Sequence, residues 1–201
     1  EGASFHCDAD AIEACVLGSG ATLVFLCSPG NPTGGIVPFD VVRDIATRLE
    51  GRAIVVVDEA YQEFASTTSA LTLLPSMRNV VVLRTLSKAH ALAGARLGVA
   101  IGDAELIALL RRCQAPYPLP QPCVDLVLHA LDTDSLATTR ANAAVATRER
   151  GRLAAALEGA AGVRRVYASS ANFLLVRFGD AQAAFQRLLT AGVVVRDGRA
   201  Q

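Results

Sequence analysis

Three short stretches, residues 22–27, 53–57 and 79–83, are almost wholly β-branched or apolar, and each runs into a polar cluster. Strands with one wet face alternate apolar and polar residues. Strands that are apolar at nearly every position are read as covered on both faces. A fourth run, 97–101, has the same character. Between them, residues 39–50 carry apolar side chains at helical spacing and stop at Gly51, and Asp103 is placed to cap a helix reaching about Cys113. Strand–helix–strand repetition predicts an α/β fold, a mostly parallel sheet with helices on both faces. A four-stranded version would have poorly covered edges.

The pattern changes after residue 114. "APYPLPQP", residues 115–122, holds four prolines and is expected to be extended or irregular. A helix is expected over about 123–131 and a long one over 135–157, preceded by the capping residues 132–135. Strands at 163–167 and 173–178, a helix at 181–191 and a last strand at 193–195 complete a small α+β unit. The expected division is a partial large domain, 1–134, and a partial small C-terminal domain, 135–201.

Composition excludes several classes. The formal net charge is zero, against the basic excess of nucleic-acid binders. No apolar run reaches the roughly 18 residues that span a bilayer. Residues 1–6 show neither a charged nor an apolar leader segment. Five scattered cysteines with no CxxC pair predict neither a disulfide framework nor a metal site, and reduced thiols fit a cytoplasmic protein.

In open parallel sheets, ligands bind beyond the carboxyl ends of the strands. The first run ends in "SPGNPTGG", residues 28–35, where Asn31 is the one amide side chain. Two readings stand for Asn31, a residue tolerating an unusual turn or a ligand contact. The second ends in Asp58-Glu59, followed by Tyr61. A carboxylate there is an N-cap or ion-pair partner, or it holds a cationic ring nitrogen. The third ends in "RTLSK". Lys88 is a solvated surface lysine, or an amine made nucleophilic by partial desolvation. Ser87 and Arg96 bracket it, and a hydroxyl with a guanidinium suits a phosphate. Together these groups describe pyridoxal 5′-phosphate: lysine for its carbonyl, aspartate for its ring nitrogen, serine and arginine for its phosphate.

At these residues the chain resembles the fold-type-I, class I/II aminotransferases. The likeness rests on "LCSPGNPTG", "AIVVVDEAYQEF", "LRTLSKAHALAGARLG" and "APYPLPQP", with "ANFLLVRF" and "GVVVRD" later, and is narrowest toward the histidinol-phosphate subfamily. It implies that Lys88 forms the Schiff base and moves the substrate proton. Asp58 would hold the ring nitrogen, Asn31 and Tyr61 the phenolic oxygen, Ser87 and Arg96 the phosphate. His90 is given a packing role, and Arg196 and Arg177 are candidate contacts for a substrate phosphate.

The same resemblance implies transamination of L-histidinol phosphate with 2-oxoglutarate by a cytoplasmic homodimer. An aromatic or phospho-amino acid substrate, or an inactive remnant, is the alternative. It further implies a longer parent protein. Residues preceding Glu1 would complete the cofactor clamp, and an arginine beyond Gln201 would hold the substrate α-carboxylate. The 201-residue chain alone is expected to be inactive.

Overall fold

A computed structural model describes residues 7–198. The leader reading from residues 1–6 lies outside them. Helix α1 (Ala9–Ser19) comes first and is capped by Asp8, whose carboxylate accepts from the Asp10 N–H at 3.0 Å. Then follow β1 (Leu23–Cys27), α2 (Phe39–Arg48), β2 (Ile54–Asp58), β3 (Val80–Thr85) and β4 (Gly98–Gly102). The four strands form one sheet in the order β1-β2-β3-β4.

β1, β2 and β3 are parallel, with Cys27 opposite Asp58 and Asp58 opposite Leu83. Their carboxyl ends therefore share one rim. β4 is antiparallel to β3. No crossover helix separates these two strands, only a loop with a short 3-10 turn at Ala93–Ala95, and the chain reverses. The link from β2 to β3 is also helix-poor, with 3-10 turns at Gln62–Phe64 and Ala70–Leu73.

One face of the sheet holds the main core. Val55, Val57, Val80 and Val82 meet Val42, Ile45, Ala46 and Leu49 from α2 and the turn after it, and Val16 from α1. The apolar stripe of α2 recurs at 42, 45, 46 and 49, the i, i+3, i+4, i+7 spacing of one helix face. The edges are less covered, as a four-stranded sheet requires. On β1, Leu23 is 52% and Phe25 63% exposed.

After β4 come α3 (Ala104–Arg112), α4 (Gln121–Ala130) and the 26-residue α5 (Thr133–Glu158). Asp103 caps α3 and Asp132 caps α5 through side-chain acceptors, as their sequence positions predict. A separate antiparallel pair, β5 (Val163–Val166) and β6 (Val176–Phe178), precedes α6 (Ala181–Thr190).

Two expectations need correction. β6 is shorter than predicted: it begins at Val176, with the Leu175 carbonyl before it still accepting from the Tyr167 N–H at 3.0 Å. The expected strand at 193–195 does not form: Val193 donates to the Leu188 carbonyl at 2.8 Å in the turn closing α6, and Val194 is exposed without a partner strand. β-propensity alone does not make a strand when no neighbour supplies the ladder.

All five cysteines are free thiols. Among the described residues, no helix is long and apolar enough to cross a membrane, and no three His, Cys, Asp or Glu side chains gather as a metal site.

Candidate active site

Three loops leave the shared rim. The first, residues 28–35, folds on itself. Gly30 N–H donates to Gly35 O at 2.8 Å, and Gly34 N–H to Gly30 O at 2.7 Å. Ser28 anchors its base, donating its N–H to Asp58 O at 2.9 Å and accepting at Oγ from Val37 N–H at 3.0 Å. Gly34 has φ +74°, the left-handed region where glycine carries no steric cost. This fold presents Asn31, whose Nδ2 donates to Tyr61 Oη at 3.1 Å.

The second loop begins at Asp58, which is half-buried. Its Oδ1 accepts from Ala60 N–H at 3.0 Å, and it forms no ion pair among the described residues. Cys27 stands opposite it, and burial first, then the Asp58 charge, push that thiol's pKa up. The thiol therefore stays protonated at neutral pH and is a poor nucleophile. Tyr61 is buried, its ring centroid 5.2 Å from that of Phe173 and the two planes at 83°. That T-shaped arrangement is the one ring quadrupoles favour.

The third loop carries Lys88, which is exposed, with Nζ 5.2 Å from the centroid of the Tyr61 ring. An ammonium at that distance is held by the face of the ring. Lys88 is also the sole lysine among 201 residues, the other 18 basic side chains being arginine. Leu86 N–H donates to Leu97 O at 3.3 Å and closes the loop. Ser87 and Arg96 are the next residues inward on its two sides, so the hydroxyl and the guanidinium flank one closure. Arg96 is exposed, adopts φ +51° and donates Nη1 to Ala93 O at 3.0 Å. His90 is half-buried, and its Nδ1 is buried with no hydrogen-bond partner among the described residues.

Asn31, Tyr61 and Lys88 thus form one contact chain, and Asp58, Ser87 and Arg96 lie on the same three loops. The two substrate candidates do not. Arg177 is exposed on β6, opposite Arg165, and Arg196 lies in the segment after α6.

The family model for aminotransferase class I and II matches residues 1–201, the whole chain. The chain belongs to the class I and II aminotransferase family. A histidinol-phosphate aminotransferase from Xanthomonas oryzae pv. oryzae is 57% identical over 196 residues, 98% of this chain and 54% of the relative. A histidinol-phosphate aminotransferase from Sinorhizobium meliloti, solved in complex with pyridoxal-5′-phosphate, superposes with a TM-score of 0.82 at 30% identity. It is matched over 96% of this chain and 54% of its own. A decarboxylase from Sulfurospirillum multivorans superposes at 0.84 with 25% identity, over 96% of this chain and 57% of its own. The chain spans about half the length of the curated relatives it matches.

Within this aminotransferase-family chain, a supporting cluster was not legible in the sequence. Glu59 follows Asp58, so its side chain leaves the strand on the other side, where it is buried. It accepts from Ser69 Oγ at 2.7 Å and Ala70 N–H at 2.6 Å, and pairs with Arg84 Nη2 at 2.9 Å. Arg84 also reaches Glu63 at 2.8 Å. The ion pair anticipated for the Asp58-Glu59 couple belongs to Glu59. A charge beside a strand end signals this only weakly, because its partners lie 10 and 25 residues away in sequence.

Proposed function

We propose that this chain carries the cofactor-linking half of a pyridoxal 5′-phosphate-dependent aminotransferase acting on L-histidinol phosphate and 2-oxoglutarate. The observation that carries the reading is Lys88. It is the chain's one lysine, its Nζ rests on the Tyr61 ring, and the hydroxyl of that ring is bonded to Asn31. The donor set fits the cofactor. Asp58 is a half-buried carboxylate with no ion pair among the described residues, and Ser87 and Arg96 flank one loop closure. The structural arginines Arg48, Arg78 and Arg84, by contrast, are each tied into ion pairs.

Pyridoxal phosphate, when bound, supplies an aldehyde and an electron-accepting ring. Lys88 Nζ would be the amine that holds the cofactor and the base that takes and returns the substrate's Cα proton. The Asp58 carboxylate keeps a proton on the ring nitrogen. Asn31 and Tyr61 Oη orient the ring through its phenolic oxygen, Ser87 and Arg96 hold the phosphate, and His90 packs behind Lys88.

Residues 1–134 form part of a large domain and 135–201 part of a small one, in a cytoplasmic homodimer. Arg196, and less directly Arg177, serve a substrate phosphate. The narrow likeness to histidinol-phosphate aminotransferases favours that amino donor over aromatic or phospho-amino acid donors.

A donor panel tests the reading. With pyridoxal phosphate bound to a whole aminotransferase that contains this half, L-histidinol phosphate should bleach the visible band, and 2-oxoglutarate should restore it. Bleaching by an aromatic amino acid or O-phospho-L-threonine, with none by L-histidinol phosphate, would move the substrate elsewhere in the family.

A further inference from the structure

Residues 169–173, between β5 and β6, form no strand, yet they grip the proposed site at two points. Ser170 N–H donates to Gly34 O at 2.7 Å. A Cβ on Gly34 would fall inside the Ser169 side chain, so the two backbones are in close contact. Four residues on, the Phe173 ring packs in a T-shaped arrangement with the Tyr61 ring. The strap thus touches the loop that presents Asn31 and also the tyrosine that Asn31 bonds. Between the two grips, Ala171 is fully buried against Tyr61, Phe64 and Ala143. Its N–H donates to Ser169 Oγ at 3.1 Å, and its carbonyl accepts from Arg150 Nη1 on α5.

Arg150 continues the face of α5 that carries Ala143 and Ala146, at i, i+3 and i+7. It is half-buried and, unlike Arg152, which bonds Glu149 at 2.7 Å, it forms no ion pair among the described residues. Its charge-assisted bond therefore goes to one buried carbonyl of the strap.

We propose that Arg150 is a positioning residue for the Lys88 site, acting through the strap 169–173 on the Tyr61 ring and the Asn31 loop. The proposal rests on the cofactor reading above. Without the Arg150 donor, the Ala171 carbonyl is buried unsatisfied. The strap then relaxes, and Tyr61 loses the aromatic contact that fixes its ring beneath Lys88 Nζ.

Ring NMR of the chain with 13C-labelled tyrosine, before cofactor is added, reads this directly. The three tyrosines are Tyr61, Tyr117 and Tyr167, and Tyr61→Phe assigns the signal. Arg150→Met should move the Tyr61 resonance toward that of exposed Tyr117. It should also weaken pyridoxal phosphate binding about ten-fold, the loss expected for one charge-assisted hydrogen bond. Arg150→Lys, which keeps a cationic donor, should recover most of both. Phe173→Leu should shift Tyr61 and weaken binding with Arg150 intact.

A folded Arg150→Met chain with native Tyr61 signal and native affinity overturns the proposal. If that variant does not fold, Phe173→Leu decides, and an unmoved Tyr61 resonance overturns it. If wild-type chain shows no Lys88-dependent cofactor band, the functional reading fails instead, and the NMR arm still judges the strap.

Discussion

Asp58 and Glu59 are chemically alike and adjacent, yet the pleat sends them to opposite duties. Asp58 stays at the rim, accepts from the Ala60 N–H and has no ion pair among the described residues, while Glu59 turns inward to Arg84, Ser69 and Ala70. Removing one partner of a buried pair leaves an uncompensated charge, at a cost of about 3–5 kcal/mol. Arg84→Met should lower unfolding stability by about that amount. The double variant with Glu59→Gln should recover a large part of it, as urea denaturation would measure. A double-variant loss equal to the sum of the two single losses would mean the pair is not coupled. At this scale the sequence was informative where chemistry is local. Lys88, Ser87, Arg96, Asn31, Asp58 and Tyr61 sit next to strand ends and turn signals. Arg150 and Phe173 act from more than 80 residues beyond Tyr61, and nothing in their neighbourhoods announces that contact.

Caps and strand pairing separate what was legible at the level of elements. Asp103 and Asp132 cap their helices because Asp before an apolar periodic run has one cheap way to satisfy orphan N–H groups. The direction of β4 and the absence of a strand at 193–195 depend on connection length and on available partners, which composition does not encode. Asp103 allows a pH test. Its pKa is held below the ordinary carboxylate value, first by the Arg78 side chain and then by the Glu105 N–H. A depressed folded pKa contributes stability that is complete above the unfolded value, near 4, and is lost as pH falls through the folded value. Asp103→Asn should therefore be less stable than wild type at pH 7, and the gap should narrow below about pH 4. A gap independent of pH would show that the cap and the Arg78 pair do not favour the charged carboxylate.

Over the whole molecule, a parallel sheet brings three loops to one rim, and α5 brings the strap back against two of them. The apolar runs that predicted this sheet predicted its buried centre well, because β2 and β3 have neighbours on both sides. They overstated the cover on β1, where Phe25 is 63% exposed. Cover depends on which elements lie opposite, not on the strand's own residues, and an open apolar edge of this kind favours self-association. The role proposed for this rim is to hold one amine against one cofactor. The most direct measurement is borohydride trapping. The chain is titrated with pyridoxal phosphate while its visible absorbance is followed, then reduced and mapped by mass spectrometry beside Lys88→Ala. With a single lysine, the only competing amine is the chain's α-amino group. A saturable visible band, absent from Lys88→Ala, and one pyridoxyl group on Lys88 are the expected result. Equal uptake by the Lys88→Ala chain, or label confined to the α-amino group, would contradict it.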